Sequence, residues 1–188
     1  MNSLSDKLLK KIASKAKNVP SLRKTCLKLA TIEVKIKDSL LHYKCGVFSF
    51  NQINCNILSN VTHLAFGHGF NQKVDASMLP GGLVALAFGD SFNQEVDNLP
   101  AALKQLTFGC YFNQKVDNLP ATLTKLTFDE SFNQKVDNLP AALTELTFGD
   151  CFNQKVDALP NGLTKLTFSG NFNQKIDKLP AIVGKIKI

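Results

Sequence analysis

The stretch Phe112-Asn113-Gln114-Lys115-Val116-Asp117-Asn118-Leu119-Pro120-Ala121-Thr122-Leu123-Thr124-Lys125-Leu126-Thr127-Phe128-Asp129-Glu130-Ser131 is one turn of a pattern that starts again at Phe132. The tripeptide Phe-Asn-Gln opens at Phe50, Phe70, Phe92, Phe112, Phe132, Phe152 and Phe172, a step of 20 residues except for 22 between Phe70 and Phe92. A fixed period of this length marks a solenoid, in which each unit packs on its neighbours because one unit cannot bury its apolar face alone. Within the unit Leu123, Leu126 and Phe128 recur as Leu103/Leu106/Phe108, Leu143/Leu146/Phe148 and Leu163/Leu166/Phe168. The piece Leu126-Thr127-Phe128 alternates in, out, in, as a short strand does. Like residues then stack on like, the strands join into a parallel sheet along one side, and at ~4.8 Å per unit the stack is about 30 Å long.

Other parts of the unit have local jobs. Gly109 and Gly149 are expected to let the chain turn after the strand. Asn118-Leu119-Pro120 is turn-prone and excludes regular helix. The Asn and Gln columns are expected to bond backbone groups at the corners. The first unit is degenerate, with Ile57-Leu58 in place of Leu-Pro, and the seventh ends on Val183, Ile186 and Ile188.

The 188-residue chain has a net charge of +7, unevenly placed. Residues 1–45 hold eleven Lys/Arg against three acids, a net of +8; the remaining eleven Lys face twelve acids, a net of −1. Leu4, Leu8, Leu9, Ile12, Ala13 and Ala16 fall on one face of an amphipathic helix over residues 3–17. Pro20 can open a second helix, whose Leu22, Cys26, Leu27 and Leu29 could pack on the first. From Thr31 the pattern turns strand-like, with Ile32, Val34 and Ile36 alternating with charges. The expected fold class is thus a repeat solenoid, mainly β with a short parallel sheet along one face, and an N-terminal helical segment. Residues 1–45 form the basic helical segment and residues 46–188 a solenoid of seven units.

Five cysteines without regular spacing do not suggest a disulfide framework, and reduced thiols in an intracellular, cytoplasmic protein are expected. No run approaches the length of a membrane span, and the N-terminus has no apolar signal-peptide core.

The pattern Leu119-Pro120…Leu123…Leu126-Thr127-Phe128…Phe132-Asn133-Gln134…Val136 resembles the FNIP repeat, a relative of the leucine-rich repeat. The resemblance covers residues 50–188 and implies a leucine-rich-repeat-like solenoid. The position where leucine-rich repeats place an inward Asn varies here (Gly69, Ser91, Tyr111, Ser131, Cys151, Asn171), which leaves the curvature open. In this family, known from amoebae and large DNA viruses, the repeats often follow an F-box, a helical module that docks on the Skp1 adaptor of a cullin ubiquitin ligase. Residues 4–12 and 22–27 look like pieces of one, so the resemblance implies adaptor docking through Leu4, Leu8, Leu9, Ile12 and Leu22, and a host-cytoplasmic location if the source is viral. The alternative is a helical cap that closes the first unit.

Chemistry in this sequence comes in rows rather than clusters. The Asp column (Asp75, Asp97, Asp117, Asp137, Asp157, Asp177) offers one carboxylate per unit, too few for calcium, and the Lys column two residues earlier is expected to neutralise it. His63 and His68 match no zinc spacing. No nucleophile, base and orienting group converge, so neither catalytic, metal nor cofactor residues are assigned and an enzyme is not expected. The lysine-rich N-terminus admits a nucleic-acid or membrane-surface reading, but a single arginine and no aromatic residue before Tyr43 leave little to read or stack bases. What remains is the sheet face. Departures from the repeat single out Tyr111, Lys125, Asp129, Glu130, Glu145 and Asp150 as candidate protein contacts, in a mildly acidic patch with one aromatic. Lys185 and Lys187 on the last strand are expected to guard its edge and keep the chain monomeric.

Overall fold

The computed structural model describes residues 40–43, 61–74, 76–177, 179 and 186–187. The helices expected over 3–17 and 20–30, with Leu4, Leu8, Leu9, Ile12 and Leu22, lie outside these residues. So do the alternating stretch at 32–36, the first Phe-Asn-Gln, Asp75 and Lys185.

Among the described residues eight strands form one parallel sheet in sequence order: β1 (Leu40–Tyr43), β2 (His63–Phe66), β3 (Ala85–Ala87), β4 (Gln105–Thr107), β5 (Lys125–Thr127), β6 (Glu145–Thr147), β7 (Lys165–Thr167) and β8 (Ile186–Lys187). Each central Leu pairs with its equivalent one unit on, Leu64 with Leu86, then Leu106, Leu126, Leu146 and Leu166. The strand is short because only Leu and the Phe after it point inward; the Thr between them faces out, where a β-branched side chain suits a pleated surface. The molecule is a parallel β-solenoid, leucine-rich-repeat-like, with five complete turns between β2 and β7.

Three turns shape each unit, one of them at the Asp117-Asn118 pair. At one corner Leu123 N–H donates to Pro120 O at 3.1 Å; after the strand Phe112 N–H donates to Gly109 O at 3.3 Å. Pro therefore sits at the corner, where its missing N–H breaks no ladder. The two extra residues of the second unit fall ahead of this corner, in the turn between Val74 and Leu79, and the β2–β3 register is unaffected by them.

Inside, two Phe columns run the length of the stack. Phe108 and Phe112 of one turn lie face to face, centroids 3.7 Å apart, and Phe128/Phe132 and Phe148/Phe152 repeat the pair. Between units the column through Phe92, Phe112, Phe132, Phe152 and Phe172 steps by 6.0–6.1 Å, with ring planes inclined by 5–7°. Hydrogen-bonded strands step by only ~4.8 Å. Equivalent atoms are thus farther apart on the Phe side, so successive units fan outward and the sheet lies on the narrow side of the stack. This answers the curvature question that the sequence leaves open.

The Asn of Phe-Asn-Gln supplies the ladder that the sequence reading found missing two residues earlier. Asn113 Oδ1 accepts from Asn133 N–H and from Gln134 Nε2, both at 3.0 Å. The same pair of bonds runs from Asn71 to unit three, Asn93 to unit four, Asn133 to unit six and Asn153 to unit seven. Where one backbone row lacks sheet partners, a side-chain oxygen of the preceding unit replaces them.

Two expectations are corrected. Gly89, Gly109 and Gly149 do not occupy the left-handed region; a Cβ on Gly109 would instead lie 2.6–2.7 Å from the Gly89 and Asp90 backbone. The glycine permits close stacking rather than an unusual turn. Nor does the Asp column pair with lysine at the places seen: Asp97 and Asp117 accept from Asn118 and Asn138 one unit on, at 3.2 and 3.1 Å. A short Asn fixed on the neighbouring turn reaches the carboxylate with less loss of side-chain freedom than an exposed lysine.

Candidate protein-binding site

Beyond the strand ends the backbone forms a second row of bonds between units. Tyr111 N–H donates to Asp90 O at 2.9 Å, Ser131 N–H to Cys110 O at 2.9 Å and Cys151 N–H to Glu130 O at 2.8 Å. This row fixes a ridge of side chains, His68, Asp90, Cys110, Glu130 and Asp150, with Tyr111 beside it. Among the described residues Tyr111 is the exposed large hydrophobic, 61% accessible. Every Phe among the described residues is buried, so an aromatic ring held in water on a hydrogen-bonded row is the feature that asks for an explanation.

The acids around it are partly committed to their neighbours. Asp90 Oδ2 lies 2.7 Å from His68 Nδ1, Asp129 Oδ1 accepts from Glu130 N–H at 2.9 Å, and Asp150 accepts from the Ser169 hydroxyl. Cys110 Sγ donates to Glu130 Oε2 at 2.9 Å. That bond needs the thiol proton; together with burial and the negative charges of Glu130, Asp129 and Asp90, it pushes the thiol up to about 11. A raised thiol pKa keeps the protonated form through neutral pH, so Cys110 is a poor nucleophile.

A labelling experiment follows from this. With its thiol pushed up to about 11, Cys110 at pH 8 carries ~100-fold less thiolate than an unperturbed cysteine. Iodoacetamide should therefore modify exposed Cys151 well ahead of Cys110, as read in the tryptic peptides 136–155 and 105–115. Glu130→Gln should speed Cys110 labelling. Equal rates for the two cysteines in the parent chain would contradict the thiol–carboxylate bond.

The six candidate contacts fall into two places. Tyr111, Asp129, Glu130 and Asp150 come together on the ridge. Lys125 and Glu145 stand instead on the sheet face at the strand starts, in register, and pair with each other at 3.2 Å. Lys165 Nζ approaches the same Glu145 carboxylate at 3.9 Å, so three charges form a line across three units. The outward rows themselves match the sequence alignment, His63/Ala85/Gln105/Lys125/Glu145/Lys165 and Ala65/Ala87/Thr107/Thr127/Thr147/Thr167. Cys110's bond to Glu130 was not anticipated; the signal was a Cys and a Glu one full period apart.

Among the described residues no three His, Cys, Asp or Glu side chains gather to hold a metal ion, and no helix is long and apolar enough to cross a membrane. The side chains offer rows of hydrogen-bonding and charged groups rather than a pocket chemistry.

The FNIP Repeat family pattern matches residues 70–111, 92–131, 112–151 and 152–181. The chain belongs to the FNIP repeat family. Its solenoid is similar to the crystal structure of CroV588, described as a novel circular LRR protein structure, with a TM-score of 0.63 and 45% sequence identity. The alignment covers 70% of this chain and 22% of that one, so this chain corresponds to about a fifth of the larger protein. No curated protein matches it. An FNIP solenoid of this kind is a fold that typically binds rather than catalyses, and the ridge lies on side chains in which this chain departs from its own repeat.

Proposed function

We propose that this FNIP chain is a non-enzymatic protein-binding scaffold whose contact surface is the ridge of Tyr111, Asp129, Glu130 and Asp150. The observation that carries the reading is Tyr111, 61% exposed on a backbone held by inter-unit hydrogen bonds. A rigid aromatic surrounded by polar groups binds with little loss of side-chain freedom, and such residues dominate interface energies. Lys125 and Glu145 extend the surface onto the sheet, where their mutual pairing leaves them a role in shape more than in charge.

The test places a photo-crosslinking amino acid at position 111 and, separately, at position 135, where Lys135 is exposed and is not among the ridge residues. The proposal expects one protein crosslinked from 111 and not from 135, and lost with Glu130→Lys in a chain that keeps its circular dichroism. Equal crosslinking from both positions overturns it.

A finer reading is that of substrate receptor for a Skp1–cullin ubiquitin ligase, acting in the cytoplasm. What supports it is the likeness of residues 4–12 and 22–27 to an F-box, with Leu4, Leu8, Leu9, Ile12 and Leu22 as the docking side chains. Co-purification of Skp1 and cullin with the full chain, lost on removing residues 1–30, is the expected result; their absence from both preparations sinks the ligase reading and leaves the scaffold intact.

A further inference from the structure

The corner turn of the sixth unit differs from the others in chemistry. Where earlier units carry Gly81-Gly82, Ala101-Ala102, Ala121-Thr122 and Ala141-Ala142, this one carries Asn161-Gly162. Both residues are exposed, and they form the centre of a turn closed by Leu163 N–H donating to Pro160 O at 3.3 Å. Among the described residues the Gly162 N–H makes no backbone hydrogen bond, so the nitrogen is not held in the ladder. Gly162 has no Cβ to shield its nitrogen, and one added there would make only ordinary contacts, with Leu143 O at 3.5 Å and Ala141 O at 3.6 Å. An asparagine amide followed by an unhindered backbone nitrogen on an accessible turn is the arrangement for intramolecular imide formation.

We propose that Asn161–Gly162 is a self-modification site of the folded protein. Base in solution removes the Gly162 N–H proton, the nitrogen attacks Asn161 Cγ, and the Cγ–Nδ2 bond breaks as ammonia leaves with a proton from water. The five-membered imide then takes up water at either carbonyl. Opening at one gives aspartate; opening at the other gives isoaspartate, in which the main chain runs through Cβ and Cγ. No oxidant or further reactant is needed. Both products place a new carboxylate at the corner. Isoaspartate also adds one backbone atom to the ring closed by the Pro160–Leu163 bond, and Leu163 is a core residue only 2% exposed. The sixth corner thus works as a clock, accumulating charge and a longer backbone with age while the other corners stay unchanged.

The repeat supplies its own control. Tryptic peptide 156–165 contains Asn161 before glycine, and the corresponding peptide 116–125 contains Asn118 before Leu119, whose side chain crowds the attacking nitrogen. The full-length protein is held folded in mildly alkaline buffer at physiological temperature, with samples taken over days and a urea-unfolded sample alongside. The deamidation mass increment should grow in peptide 156–165, split into two chromatographic products, rise with pH, and be undetectable in 116–125. Gly162→Thr should slow it by more than an order of magnitude and still fold. Thr122 already occupies the equivalent place, its hydroxyl donating to Ala101 O and Leu103 O at 2.6 and 2.8 Å. An increment confined to the urea-unfolded sample would show that the turn keeps the nitrogen out of reach and would overturn the proposal. Equal increments in the two peptides would overturn it as well.

Discussion

Phe132→Ala is expected to lower the free energy of unfolding by about 3–5 kcal/mol, the range for truncating a fully buried Phe. The ring is 0% exposed and is stacked on Phe128 within its turn and on Phe112, Phe148 and Phe152 in the turns beside it. Removing it leaves a hole in both Phe columns at once. The neighbours are fixed by strand pairing on one side and the Asn ladder on the other, so they cannot collapse to fill it. Phe172→Ala should cost clearly less, since that ring is 8% exposed and, among the described residues, stacks on Phe152 and Phe168 alone. Urea midpoints of the two variants decide the matter. In a stack of nearest-neighbour interfaces the inner position must be the more damaging; equal midpoints would mean that the molecule does not behave as such a stack.

The second large effect is expected at Asn113. Replacing it by Ala removes the acceptor for Asn133 N–H and Gln134 Nε2 together, and leaves the half-buried Asn133 N–H without its partner. An unsatisfied buried donor costs about 1–3 kcal/mol. Asn113→Asp keeps an oxygen in the same place and should retain most of the stability. Asn118→Ala, which breaks only an exposed bond to Asp97, should stay within about 0.5 kcal/mol of the parent chain. Equilibrium unfolding of the three variants provides the comparison. If Asn113→Ala and Asn118→Ala proved equally mild, the Asn column would be decoration rather than a ladder.

The strand positions, the parallel register and the inward Leu and Phe columns were legible in the sequence because the period forces like onto like. Once Leu126 is placed, Leu106 and Leu146 have nowhere else to go. What stayed hidden depends on distances that a period does not encode. β1 was missed because Leu41 and Tyr43 stand where later units have Leu and Phe, but Phe50 follows Tyr43 by seven residues, whereas Phe70 follows Phe66 by four. That the Asn column bonds backbone groups was legible from its presence in every copy; what a period does not encode is that one Asn oxygen takes both the Asn N–H and the Gln Nε2 of the next unit. The lysine–aspartate pairing was inferred from column order alone; whether Asp97 meets a lysine or Asn118 is decided by side-chain reach across the gap between turns. On the candidate site, the sequence brought Tyr111, Asp129, Glu130 and Asp150 into one neighbourhood. It could not tell that Lys125 and Glu145 would satisfy each other farther along the strand.

The two extra residues of the second unit have a consequence for how such chains can change over generations. They sit in the turn just before Leu79-Pro80 while His63, Leu64 and Ala65 remain opposite Ala85, Leu86 and Ala87. Errors in copying near-identical coding units therefore divide into two kinds with different fates. Loss or gain of one whole unit of 20 residues lengthens or shortens the molecule by a single strand spacing, and every surviving turn still meets a turn with the same inward residues. A small insertion in that turn is absorbed there. A single residue added within Leu126-Thr127-Phe128 would turn Thr inward and Phe outward, and would propagate to both neighbours. The lineage is free to drift in length and in that turn, and is held still along the narrow side where the strands meet and along the Asn ladder across from it.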